Sequence, residues 1–222
     1  MRAHSRAYLL ALFVVVIAGA WLLLGGDDRP LDVQRNEAGA AARSRRPHYV
    51  TPEQLQASNA KLENVVADLS MTTSDSRALS WSALSDGAPV VLVFVKKGCP
   101  CSIEFAPYFQ QVAARYRGSV RFADVIDGDT ARAGRWKREH DVPYTVIADA
   151  EQHIIRRFGA ENGGYVALLA RDGQIDRFWP GFSRDALSEL GARIAQLTGR
   201  SEQRLDPGSL PAALTSGCPF VL

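Results

Sequence analysis

Cys99 and Cys101 flank Pro100 at a point where a β-branched run, VVLVFV, gives way through two lysines and a glycine to a helical stretch. Two thiols one residue apart allow three chemistries. They can exchange disulfides as a pair, act as one nucleophile beside a bystander, or supply half of a soft-metal site. A third thiol, Cys218, lies far downstream in TSGCPF. Three is an odd number, so at least one cysteine is free, shared, metal-bound or transiently paired.

The local pattern favours a reactive sulfur. Residues 90–95 read as a fully buried strand, and Phe105, Phe109, Val112 and Tyr116 recur at helical spacing on one apolar face. Cys99 then falls at the helix N-cap and Pro100 in the first turn, where a missing N–H costs nothing. Unpaired backbone N–H groups and the positive end of the helix dipole stabilise a thiolate there. Lys96 and Lys97 are expected to add positive charge from upstream, and Glu104 to oppose it if it faces the sulfur. Cys218, in a tail of Pro, Gly and Ser residues expected to be flexible, is either a resolving thiol that swings onto the oxidised nucleophile, a structural staple, or a free thiol.

The elements that must hold this site alternate. Apolar, β-rich runs fall at 89–95, 120–126, 144–148, 165–170 and 175–179, with helical stretches at 102–116, 130–140, 151–158 and 184–198. That alternation predicts an α/β fold, a sheet with helices on its faces. Asp172-Gly173 marks a hairpin between the last two strands. Thr51-Pro52-Glu53-Gln54 carries the signature of a capped helix start.

The other end of the sequence bears on compartment. Residues 7–24 hold no charge and follow Arg2 and Arg6. As a helix they span roughly 27 Å, near the thickness of a bilayer core. The expectation is an uncleaved single-pass anchor with its N-terminus cytoplasmic and the body extracytoplasmic, periplasmic if bacterial. Ala18-Gly19-Ala20 offers the rival reading of a cleaved signal peptide. Either way the thiols sit where disulfides persist. The expected organisation is an anchor at 1–24, a linker at 25–50, an α/β domain at 51–199 and a tail at 200–222.

At the cysteines the sequence resembles the thioredoxin-fold active-site segment, in which Ala-Pro stands seven and eight residues after the first Cys of Cys-x-x-Cys. Ala106 and Pro107 hold those offsets from Cys99. The resemblance implies a central mixed sheet flanked by helices. It matches Cys99 to the nucleophile and Ser102 to the second cysteine, leaving Cys101 as an extra thiol. LSWSALSDGAPVVLVF, VPYTVIADAEQHIIRRFGA and YVALLARDGQI further resemble the alkyl hydroperoxide reductase/thiol-specific antioxidant (redoxin) branch, so that similarity runs over residues 65–197. Two departures are visible. The peroxiredoxin pattern Pro-x-x-x-Thr-x-x-Cys finds Leu92 and Lys96 counted from Cys99, or Phe94 and Gly98 counted from Cys101. The cis-proline that faces a thioredoxin active site is replaced by Gly164-Tyr165, which becomes the expected substrate-facing loop.

These readings converge on a membrane-tethered thiol-disulfide oxidoreductase. Its expected partners are protein or small-molecule disulfides and thiols, hydroperoxides in the peroxidase alternative, and an external thiol donor. A non-enzymatic Cu(I)-binding module is the other alternative, although His4, His48, His140 and His153 show no ligand spacing and read as surface residues. No cofactor is implied. A net charge of +2 with 46% hydrophobic residues gives no basic face for nucleic acid.

Overall fold

The computed structural model describes residues 48–61 and 69–221. The expected anchor at 7–24 and most of the linker lie outside the described residues. Among those that are described, no helix is long and apolar enough to cross a membrane.

Nine strands and six helices follow one another along the described chain. β1 is His48–Tyr49, α1 Pro52–Asn59, β2 Ser70–Thr73, β3 Ala78–Ser80, α2 Trp81–Ser85 and β4 Val90–Val95. Then come α3 Pro100–Arg115, β5 Arg121–Ile126, α4 Thr130–Glu139, β6 Thr145–Ala148 and α5 His153–Phe158. β7 Val166–Leu169, β8 Ile175–Trp179, α6 Arg184–Thr198 and β9 Thr215–Ser216 complete the order. Seven strands form one sheet in the order β3-β2-β6-β5-β4-β7-β8, and β1 pairs separately with β9. β4, β5 and β6 run parallel, whereas β7, β8, β2 and β3 join antiparallel, so the sheet is mixed.

Both faces of this sheet are covered, which is why β4 reads as an unbroken apolar run. Val91, Val93 and Val95 point to one core with Phe105, Phe109 and Val112 of α3 and Leu187, Leu190 and Ile194 of α6. Val90, Leu92 and Phe94 point to the other, with Ile154, Ile155 and Phe158 of α5 and Trp81 and Leu84 of α2. Each such buried side chain contributes about 1.5–3 kcal/mol of transfer free energy, so α3 is clamped along its whole inner face.

Local chemistry sets the helix ends. Thr51 caps α1 with a reciprocal capping box to Gln54. Asp129 caps α4 and Ser183 caps α6 by accepting backbone N–H bonds. Pro107 sits inside α3, where it has no N–H to offer the helix ladder, and Ile103 one turn before it is on the exposed side.

The tail departs from expectation. β9 pairs with β1 through His48↔Ser216 and Tyr49↔Thr215, Phe182 bridges Thr215, and Leu210 and Phe220 are buried. Residues 200–221 therefore pack on the domain. A Ser/Gly/Pro composition predicts a loop. It is silent on backbone pairing, which here does the holding.

Candidate active site

β4 ends at Val95 in the middle of the sheet, and the chain turns through residues 96–98 into α3. Cys99 is the N-cap residue of α3, in extended backbone at φ −85° and ψ 120°, and Pro100 begins the helix. Its side chain makes no conventional capping bond, so the sulfur stands among the unpaired donors of the first turn. Cys99 is only 2% exposed.

Cys101 and Cys218 meet at this sulfur. Both thiols, together with the backbone of Cys218 and of Ser102, act to stabilise a negative charge on Cys99. The Cys218 N–H lies 3.1 Å from Cys99 Sγ. These neighbours favour the anion, and Cys99 is pulled down to about 4, the Cys101 S–H being the largest cause and burial opposing it. Cys101 is pushed well above the ordinary thiol range, since ionising it would forfeit its bond to Cys99, with burial and the charges of Cys99, Cys218 and Glu104 adding to this. Burial, then its bond to Cys99, pushes Cys218 up to about 11, while Lys96 pulls the other way. The three thiols titrate as a unit whose first proton leaves early and whose negative charge rests on Cys99.

The lysines act differently from the sequence expectation. Lys96 Nζ pairs with Asp127 Oδ2 at 2.5 Å, and the carboxylate side chain is fully buried. Asp127 Oδ1 accepts from the Lys97 N–H at 2.6 Å, which leaves the Lys97 side chain exposed. Neither ammonium is among the causes that lower Cys99. Asp127 was missed because it stands just beyond β5, distant in sequence and adjacent only through the β4–β5 pairing. Ser102 is fully buried, and its Oγ accepts from the Lys96 N–H at 3.2 Å. It ties the turn to the helix, and its N–H donates to the Cys99 carbonyl at 3.0 Å.

The opposing loop is Gly163-Gly164, entered one residue earlier than expected. Gly164 takes φ +84°, and a Cβ there would lie 2.9 Å from the Phe105 ring, so only glycine fits. Tyr165 is 2% exposed and packs edge-on against Phe178. Its side chain belongs to the second core. Gly163 faces the site: its N–H donates to the Cys218 carbonyl at 3.0 Å and its carbonyl accepts from the Gly217 N–H at 2.6 Å. No peptide bond among the described residues is cis.

His48, read from sequence as a surface residue, also belongs here. Its Nδ1 donates to the Gly217 carbonyl at 2.7 Å, and Ser216 Oγ donates back to the His48 carbonyl. A lone histidine in a linker carries no sequence signal for this role. Although three sulfurs converge, no group of three or more His, Cys, Asp or Glu among the described residues is arranged to hold a metal ion.

The fold has counterparts among solved structures. MTB dsbF, seen in mixed oxidized and reduced forms, is 28% identical with a TM-score of 0.52, covering 61% of this chain and 100% of its own. A secreted Mycobacterium tuberculosis disulfide oxidoreductase homologous to E. coli DsbE is 24% identical at a TM-score of 0.50, covering 66% and 100%. Peroxidoxin BcpB from Mycobacterium tuberculosis is 19% identical at 0.55, covering 64% and 99%. The latter two share the fold. No curated protein sequence matches the chain. A sequence model of the AhpC/TSA family matches residues 62–175, a span reaching from before β2 to the start of β8 and taking in the whole of β4 and α3. With half its length so matched, on a thioredoxin-like mixed sheet, this chain belongs to the AhpC/TSA family.

Proposed function

We propose that the protein is a thiol-disulfide oxidoreductase in which Cys99 is the nucleophile and Cys218 the resolving thiol. The observation that carries this reading is the placement of Cys99 Sγ at the N-terminus of α3 with the Cys218 N–H 3.1 Å away, surroundings that pull Cys99 down to about 4 and so favour its thiolate at neutral pH. A thiolate is the attacking species in disulfide exchange.

The electron balance is simple. Cys99–S⁻ attacks a disulfide R–S–S–R′, forming Cys99–S–S–R and releasing R′–S⁻. Cys218, having given its proton to the departing thiolate or to water, attacks the Cys99 sulfur and expels R–S⁻. The protein is left with a Cys99–Cys218 disulfide, and an external dithiol reduces it by the same two exchanges. The sequence run backwards oxidises a substrate dithiol. Cys101 keeps its proton and acts as a donor to the Cys99 thiolate. The Cys218 N–H already touches Cys99 Sγ, whereas a Cys99–Cys101 bond would close a small ring across the helix start.

The hydroperoxide alternative lacks a comparable observation. Leu92, where a peroxiredoxin-type proline would stand, is fully buried, and Lys96, in place of the threonine, is tied to Asp127. The test is dithiothreitol-coupled reduction of a polypeptide disulfide, set beside hydroperoxide consumption. Disulfide turnover lost in Cys99→Ser is the expected result. Hydroperoxide turnover that outpaces it would reverse the assignment.

Residues 7–24 are proposed to tether this domain to the outer face of a membrane, on the strength of their uncharged length and the arginines before them. Protease accessibility in intact cells and extraction by alkaline carbonate check both halves of that proposal.

A further inference from the structure

The tail does more than carry a thiol. Ser216 to Phe220 lies antiparallel to Glu161 to Gly163, bonded from the Gly217 N–H to Gly163, from the Gly163 N–H to Cys218, and from the Phe220 N–H to Glu161 at 2.8 Å. Asn162 pairs with Pro219 in an isolated bridge, and its Nδ2 donates to Ser216 Oγ at 2.8 Å. Phe220 is buried in the second core beneath. The result is an extended, cysteine-bearing segment laid along the loop opposite Cys99, with its own cysteine at the nucleophile. With this cover in place Cys99 is 2% exposed, so no polypeptide disulfide reaches it.

We propose that segment 215–220 is a built-in occupant of the docking edge for an extended, cysteine-bearing polypeptide, which takes the tail's place strand for strand before Cys99 can react. The inference rests on the thiol-exchange reading above and adds the substrate class and a gate. Backbone groups of Glu161 and Gly163 supply affinity, as in strand addition to a free edge. The tail competes for the same groups, so apparent affinity falls by the fraction of molecules in which it is released. Its return after the first exchange delivers Cys218 to the mixed disulfide and ejects the product in one movement. The edge also sets a sequence preference. A Cβ at Gly217 would lie 2.9 Å from the Gly163 carbonyl oxygen and 3.2 Å from Cys99 Sγ, so a peptide in this register needs glycine before its cysteine.

The experiment uses the full chain carrying Cys218→Ser, loaded chemically at Cys99 with a Gly-Cys-Pro peptide activated as its thionitrobenzoate disulfide, so that loading does not depend on turnover. Hydrogen exchange is then read by mass spectrometry. The expected result is exchange at least about tenfold faster across 215–220 in the loaded protein than in the unloaded one. Unchanged exchange there overturns the proposal. In parallel, Asn162→Ala, which loosens the tail outside the reacting groups, is expected to raise the rate of Cys99 alkylation by iodoacetamide about fivefold or more. A rate equal to that of the parent counts against the gate. If 215–220 opens on loading but no polypeptide disulfide is turned over, the docking edge stands and the oxidoreductase reading fails. If turnover occurs with 215–220 protected throughout, the reverse holds.

Discussion

Cys218 donates its backbone N–H to the sulfur of Cys99 at 3.1 Å, although 119 positions separate the two residues. One residue thereby offers the nucleophile both an amide donor and a thiol, and the pair of contacts explains much of how the site behaves with pH and oxidation.

Alkylation of Cys99 should follow an inflection near the value of about 4 set by its donors, rather than near 9. Cys101→Ala removes the largest of those donors and should move the inflection up by about one unit or more. Cys101→Ser restores an O–H donor and should recover most of the loss. The measurement is iodoacetamide kinetics against pH with peptide-level readout, and identical profiles for the alanine and serine variants would show that Cys101 plays no donor role.

Oxidised protein should yield a Cys99–Cys218 bridge on non-reducing peptide mapping. In Cys218→Ser the first exchange should survive, with mixed disulfides accumulating and turnover falling about tenfold or more, because the fast intramolecular resolution is lost. Recovery of a Cys99–Cys101 bridge as the main species would transfer the resolving role to Cys101.

Asp127 should be a stability determinant of the site. Asp127→Ala strands the Lys96 ammonium, whose side chain is only 16% exposed, and deprives the Lys97 N–H of its acceptor. Breaking a buried pair in this way costs about 3–5 kcal/mol. Urea unfolding of the reduced protein provides the check, and Asp127→Asn, which keeps an acceptor for the N–H, should fall between the two.

Asp124 supplies a pH term of opposite sign to that of Cys99. It is buried on β5, accepts from Trp136 Nε1 at 2.8 Å, and burial pushes it up to about 7 against the opposing influence of Trp136, Tyr144 and Lys137. The folded state therefore holds this proton at pH values where the unfolded chain has released it. Its contribution is complete below the unfolded value of 3.8 and is lost as pH rises to about 7. Cys99 behaves inversely: its contribution is present above the ordinary thiol value of 9.0 and is lost as pH falls to about 4. Comparing parent with Asp124→Asn at each pH cancels the thiol term. The asparagine variant should gain relative stability between pH 4 and 7, on the order of a few kcal/mol, and a flat difference would contradict the assigned burial cost.

The parts of the fold that were legible share a cause. β4, α3 and α6 bury continuous apolar faces, and that burial writes a period into the sequence. The N-cap position of Cys99 followed from the strand on one side and the proline on the other. β2, β3 and α2 are too short, and in β2 and β3 too polar, to carry such a period: SMTT alternates exposed and buried within four residues. The site was half legible for a related reason. Cys99 and Cys101 announce themselves by spacing, whereas the tail is held by main-chain bonds to Glu161 and Gly163, to which side-chain patterns are blind. His48 and Asp127 reach the site only through strand pairing.

The β1–β9 ladder and the Cys218 contact also impose an order on biogenesis. The ribosome must deliver everything through residue 220 before the sulfur acquires its cover, so a nascent chain carries an uncovered thiol that still lacks the neighbours Cys218 supplies. Closure over so long a span is among the late events of folding, and it is in that interval that the polypeptide is most open to adventitious cross-linking.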